Sequence, residues 1–201
     1  MYELWLASQS PRRRELLEKA GFLFHVHPVK ISESIEENVN LEKAIMAIAR
    51  GKADAAVNLH KHMKGQDILV LAADTVVVLG GRALGKPKNS AEALEYLRLL
   101  SGQKHRVLTA IALYNFATGE TFDTIDSTEV EFRRLSEIEM ADYVATSEPY
   151  DKAGGYAVQG FARAFVVAVR GSESNVIGLP MELLEKTLHA RGWNVRRKNT
   201  D

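Results

Sequence analysis

The alternation of apolar and polar positions divides the chain into short segments with two different periods. Residues 3–7 (ELWLA) form a near-continuous apolar run of strand length. Ser8, Gln9 and Ser10 then make a polar turn, and Pro11 suits the first position of a helix that Ser10 caps. Leu16, Leu17 and Ala20 give that helix its apolar stripe, and Gly21 ends it. Residues 22–29 (FLFHVHPV) read as a second strand, and a long helix follows from about Asn40 to His62. Residues 68–79 (ILVLAADTVVVL) are the strongest strand signal, with Asp74 and Thr75 interrupting the apolar run. Gly80–Gly81 reads as a hairpin turn.

The second half continues the pattern. A helix is expected over Asn89–Leu100, then two long strands over 106–116 and 121–133, joined through Ala117–Thr118–Gly119 as a hairpin. Ser136 caps a short helix to about Ala145. After the glycine-rich DKAGGYAVQG comes a strand over Ala164–Val169, and one closing helix spans Asn175 to Arg191. Strands alternate with helices, so the fold class is α/β with a mixed sheet. No internal repeat or linker divides the 201 residues, so one domain over 1–201 is expected.

Composition removes several classes of chemistry. The chain has no cysteine, which excludes disulfides, thiolate metal sites and cysteine nucleophiles. It fits a cytoplasmic protein. No apolar run reaches the ~20 residues of a membrane span, and the N-terminus lacks the order of a signal peptide, so no membrane is expected as a partner. Lys plus Arg equals Asp plus Glu, 26 each. A broad basic surface for long nucleic acid is therefore not expected.

Five features can carry chemistry. The first is Ser8-Gln9-Ser10-Pro11-Arg12-Arg13, where a helix N-terminus with free N–H groups meets two hydroxyls and two guanidiniums. That is a cradle for polyphosphate, without the glycine loop of a Walker site. A capped surface helix is the plainer reading. The second is Asp74 at the end of an apolar strand. A carboxylate there is costly unless it meets a metal, a cation or a crevice. The third is the acidic stretch Ser32–Glu37, whose Glu33, Glu36 or Glu37 can help hold Mg²⁺ beside substrate phosphates. Most of it reads as a solvated loop. The fourth is Lys52 with Lys86, the latter placed after the hairpin to reach back toward Asp74. The fifth is Asp151–Gly160, where adjacent glycines admit close approach and Gln159 offers both a donor and an acceptor to a base edge. His25 and His27 share a strand face, but with no third ligand they read as satisfied or exposed imidazoles. His60 and His62, two apart on a helix, are not expected to face each other.

Taken together, these pieces resemble the Maf family of nucleotide pyrophosphatases. The matching stretches are LASQSPRRRELL (6–17), ISES around Glu33, ARGKA (49–53), AADTVV (72–77), GKP (85–87), DKAGGYAVQG (151–160) and NVIGLP (175–180). They fall in order along almost the whole chain. The resemblance implies an elongated α/β fold of two lobes around a nucleotide-binding cleft, like that of inosine triphosphate pyrophosphatases, and a homodimer. It implies hydrolysis of a nucleoside triphosphate to the monophosphate and pyrophosphate with Mg²⁺, Mn²⁺ or Co²⁺. Carried over by motif, Ser8, Arg12, Arg13, Lys52 and Lys86 contact phosphates. Glu33 and Asp74 serve metal and water, with Asp74 the base. Arg12, Thr75 and Gln159 resemble the branch that acts on dTTP and UTP, where the 7-methyl-GTP branch carries an aromatic residue, Gln and Glu. The competing readings are a 7-methyl-GTP or broad modified-nucleotide hydrolase, and a nucleotide-binding regulator of cell division without turnover.

Overall fold

The structure is a computed structural model that describes residues 1–33, 35 and 39–198. Glu36 and Glu37 of the acidic stretch lie outside the described residues. The α/β class with a mixed sheet is borne out. Among the described residues seven strands form one sheet: β1 (Glu3–Leu6), β2 (Phe24–Val26), β3 (Ile68–Leu79), β4 (Arg82–Leu84), β5 (Lys104–Asn115), β6 (Thr121–Phe132) and β7 (Val166–Arg170). Their order is β2-β1-β3-β5-β6-β7, with β4 paired to β3. The helices are α1 (Pro11–Lys19), α2 (Leu41–Leu59), α3 (Ser90–Leu100), α4 (Glu137–Val144), α5 (Glu173–Ile177) and α6 (Met181–Ala190). Among the described residues no helix is long and apolar enough to cross a membrane.

The chain divides into two compact units, and the long strands β3, β5 and β6 contribute residues to both. Unit 1 comprises Met1–Asp74, Thr109–Asp126 and Gly178–Asp201. Its strands β1 and β2 run parallel, and β1 runs parallel to the first part of β3 with Leu6 opposite Leu71. Parallel strands buried on both faces need continuous apolar runs, which ELWL and ILVLAA supply. One core cluster of this unit joins Leu4, Leu6, Leu69 and Leu71 to Leu17 of α1, to Ile111 and Leu113 of β5 and to Leu184 and Leu188 of α6.

Unit 2 comprises Thr75–Leu108 and Ser127–Ile177. The rest of β3 turns through Gly80 and Gly81, both at positive φ, into antiparallel β4. That geometry suits a tight hairpin, as the sequence predicted. Leu97 and Leu100 of α3, and Met140 and Tyr143 of α4, pack with Val107, Val130, Phe132, Tyr156 and Phe165 in a separate core. Ser136 closes the full capping box of α4 with Glu139.

Four local expectations are corrected. Ser10 sits at the N-cap of α1 but makes no side-chain capping bond there. The predicted strand over 22–29 shortens to Phe24–Val26. The helix expected from Asn40 to His62 stops at Leu59, and Lys61–Met63 form a 3₁₀ turn. The single closing helix is two, because Gly178 at positive φ and Pro180 break it between Ile177 and Met181.

Candidate active site

In unit 1 the sheet and two helices bring four polar side chains into the interior: Ser8, Arg13, Lys52 and Asp74, each less than a tenth exposed. Each is placed by the apolar residues around it. Ser8 follows β1, and Ala7 N–H still bonds Leu71 O at 2.8 Å, so the chain leaves the sheet beside the Ala73–Asp74 stretch. Lys52 falls on the buried stripe of α2, between Ile48, Ala49, Ala53 and Ala56, so that helix can dock only by taking the lysine inward.

Asp74 stands in the middle of β3, not at its end as the sequence predicted. The apolar run resumes at Val76 and continues to the Gly-Gly turn, so the strand passes through the acid. The carboxylate is tolerated because it is paired. Lys52 Nζ donates to Asp74 Oδ1 at 2.7 Å and contacts Glu33 Oε1 at 2.6 Å. One ammonium thus joins two carboxylates, one interior and one about two-fifths exposed. Removing one partner from such a set leaves an uncompensated charge in low dielectric.

Arg13 is built into the same place. Its Nη1 donates to Ser8 Oγ at 3.0 Å and its Nε to the carbonyl of Gly178 at 2.7 Å. Ser8 Oγ also accepts Ser10 N–H at 3.2 Å. Burial pulls the Arg13 proton affinity below the ordinary arginine value; the charge of Asp74 opposes this, neighbouring Arg12 adds to it, and Glu33 opposes it. Arg12, half-buried, stands next to it on α1. The predicted residues Ser8, Arg12, Arg13, Glu33, Lys52 and Asp74 therefore all belong to unit 1. There Lys52 bonds two carboxylates and Arg13 lies in the field of the same two, an arrangement that suits an anionic ligand held with a positive counterion.

Thr75, Lys86 and Gln159 belong to unit 2. Lys86 and Gln159 are exposed and Thr75 is half-buried. The glycine-rich segment is fixed by close approach. Gly154 has φ 67° and donates its N–H to Gly85 O at 2.9 Å. A Cβ at Gly154 would lie 2.7 Å from a methyl of Val77, so only glycine fits. The Gly85-Lys86-Pro87 stretch and the segment carrying Gln159 are thereby tied together.

Sequence reasoning missed two groups here. His105, buried on β5, bonds the Tyr156 hydroxyl through Nε2 at 2.7 Å, and burial lowers its pKa to about 4. Nothing in KHRVLT marks that histidine as interior, because its partner is distant in sequence. Glu148 accepts from the Tyr143 hydroxyl and from two backbone N–H groups beyond Gln159. Asn175 of NVIGLP is fully buried and donates to Val107 O and Thr128 Oγ1, both at 2.9 Å, a structural use of that motif.

The other histidines form ring contacts. His27 stacks on Trp5 at 4.0 Å and meets His60 edge-on at 4.8 Å, while His25 lies 3.5 Å from Glu3. His60 and His62, beyond the end of α2, approach with ring centroids 6.1 Å apart and tilted planes. Among the described residues no three His, Asp or Glu side chains gather around one point suited to a metal ion.

Comparison with known proteins adds the lineage. A protein named dTTP/UTP pyrophosphatase from Bdellovibrio bacteriovorus is 44% identical over 92% of this chain and 96% of its own. One of the same name from Salmonella typhimurium is 43% identical over the full length of both chains. A solved nucleoside-triphosphatase (dITP/XTP pyrophosphatase) from Mycobacterium abscessus aligns over 94% of both chains at 15% identity, with a TM-score of 0.40, too slight a likeness to bear on the chemistry. The family described as Maf-like protein matches residues 3–191, and the chain belongs to the Maf family.

Proposed function

We propose that the protein is a nucleoside triphosphate pyrophosphatase that hydrolyses dTTP and UTP to the nucleoside monophosphate and pyrophosphate. The observation that carries this reading is the Lys52 ammonium set between the carboxylates of Asp74 and Glu33, with Ser8 and Arg13 built into the same unit. The relatives named dTTP/UTP pyrophosphatase support the substrate.

In this reading Ser8, Arg12, Arg13, Lys52 and Lys86 hold the triphosphate. Their charges offset those of the phosphates and stabilise the departing pyrophosphate. Asp74 orients a water in line with the α-phosphorus and accepts its proton. The new P–O bond forms as the bond to the α,β-bridging oxygen breaks, and that oxygen leaves with the pyrophosphate. Thr75 and Gln159 contact the nucleoside, where the Gln159 amide matches the carbonyl and N3–H edge of uracil or thymine.

The donor set fits Mg²⁺, Mn²⁺ or Co²⁺. Two hard carboxylates, Glu33 and Asp74, are the number such an ion takes from protein when phosphate and water oxygens complete its shell. Bound there, a divalent ion supplies positive charge to the phosphate oxygens. Function as a homodimer in the cytoplasm, in nucleotide-pool housekeeping, belongs to the same reading.

The test is product analysis with dTTP, UTP, CTP, ATP, GTP and 7-methyl-GTP, with and without Mg²⁺. Pyrophosphate release, with dTTP and UTP leading in kcat/KM, is expected. Orthophosphate with a nucleoside diphosphate as the first products overturns the reaction. A purine or 7-methyl-GTP in the lead overturns the substrate. Binding without turnover favours a regulatory role.

A further inference from the structure

The segment from Glu148 to Phe161 carries Gln159, and the side chain at its start meets the backbone at its end. Glu148 begins it. Its Oε2 accepts Phe161 N–H at 2.9 Å, and its Oε1 accepts Ala162 N–H at 3.3 Å and the Tyr143 hydroxyl at 3.0 Å. The two backbone donors open the 3₁₀ turn Phe161–Phe165. A side chain at Gly160 would overlap the Glu148 carboxylate, so glycine leaves the space the acid fills.

The same residue is held from other sides. Its backbone N–H bonds Thr146 Oγ1 at 3.2 Å, and its carbonyl accepts Lys152 Nζ at 2.7 Å. The Tyr143 hydroxyl it bonds is buried, and burial together with the Glu148 charge raises that phenol's pKa. Four donors therefore fix the acid's two polar ends, and the chain between is closed into a loop by side chain rather than by sheet.

We propose that Glu148 is a positioning residue for base recognition: its carboxylate clasps the 149–161 segment in the form that presents Gln159 to the nucleotide base. The proposal rests on the pyrophosphatase reading above, because Gln159 has its role there. Only Gly160 separates Gln159 from Phe161, so a shift in the Phe161 and Ala162 amides moves Gln159 directly. Glu148 belongs to unit 2, whereas the Lys52–Asp74–Glu33 set and Arg13 belong to unit 1.

The chemistry predicts how variants differ. Glu148→Gln keeps the size but replaces one acceptor oxygen by an NH₂ group, which faces N–H donors and repels them. Glu148→Asp keeps both acceptors on a shorter arm. The clasp should open in the first and partly survive in the second.

The experiment measures kcat and KM for UTP, dTTP and CTP in the unmodified protein, Glu148→Gln and Glu148→Asp. It adds inhibition by inorganic tripolyphosphate, a probe with no base, and hydrogen exchange of the 149–165 segment. In Glu148→Gln the preference for UTP over CTP should fall about tenfold, the scale of one lost hydrogen bond to a base edge. KM for UTP should rise more than kcat falls, tripolyphosphate inhibition should hold, and Phe161 and Ala162 should exchange faster. Glu148→Asp should recover part of the preference.

Equal losses for all three nucleotides, weakened tripolyphosphate inhibition, or unchanged selectivity and exchange would each overturn the positioning role. An unmodified protein that releases no pyrophosphate from any nucleotide overturns the function itself and this role with it. That outcome is read before any variant is made. If Glu148→Gln does not fold, the same measurements on Glu148→Asp and on Gly160→Ala, which crowds the carboxylate, decide the question.

Discussion

His105 makes the fold of unit 2 sensitive to acid, and the effect can be worked from its surroundings. The ring is 2% exposed, its Nε2 bonds the Tyr156 hydroxyl, and its Nδ1 has no hydrogen-bond partner among the described residues. Phe132 packs edge-on against it at 5.0 Å. Protonation would put a charge among rings with one N–H unanswered, so burial lowers the pKa from 6.5 to about 4. The unfolded chain binds a proton at His105 near pH 6.5, whereas the folded chain resists until about pH 4. Stability from this group is therefore complete above pH 6.5 and drains away as pH falls toward 4. Between pH 7 and pH 4.5 the loss from this one ring is about 2.5 kcal/mol. His27 is lowered as well, by burial and by His60 and His25, so its contribution must be separated from that of His105. A variant isolates the ring. His105→Gln keeps a polar group for Tyr156 but cannot take up the proton. Urea denaturation of both proteins at pH 7, 6, 5 and 4.5 gives the difference in stability at each pH. The unmodified protein should lose about 2.5 kcal/mol relative to His105→Gln over that span. Parallel stability curves would show that the ring is either wet or already compensated, and the reasoning would fail.

Asp74→Asn keeps the shape of the strand and should cut turnover by roughly 10²-fold with the fold intact, as loss of a general base does; near-normal turnover takes Asp74 out of the mechanism. Lys52→Met should lower stability by about 3 kcal/mol by taking the cation from the buried Asp74 carboxylate, and adding Asp74→Asn should restore part of it; additive losses in calorimetry would count against the coupling. Arg13→Ala should weaken use of every triphosphate alike, since it removes a cation that also bonds Ser8 and Gly178; a changed order of nucleotides in steady-state kinetics would show the arginine is misplaced. With ¹⁸O-water the label should appear in the monophosphate, as attack at the α-phosphorus requires, and mass spectrometry finding it in pyrophosphate would move the attack to the β-phosphorus.

Local chemistry was legible wherever one short stretch decides the outcome. The bounds of β3, the Gly80–Gly81 hairpin and the Ser136 cap follow from period, positive-φ demand and capping, all of which act within a few residues. The same signals failed where ends depend on neighbours. Asp74 read as the end of the apolar run, because burying a lone carboxylate is costly. The strand continues because Lys52, on α2 and 22 residues away in sequence, meets the charge.

The sequence by itself determined the α/β class, the residue types at each site position and the order of the motifs, since each is written in composition and spacing. Tertiary structure decided what those residues touch. It turned Ser8 and Arg13 into a bonded pair anchored at Gly178, set one ammonium between Glu33 and Asp74, and gave His105 and Glu148 roles that no local pattern announces. The reason is physical: hydrophobic period and backbone preference act over a few residues, whereas the burial of charge is settled only when distant segments meet and either pair it or leave it bare.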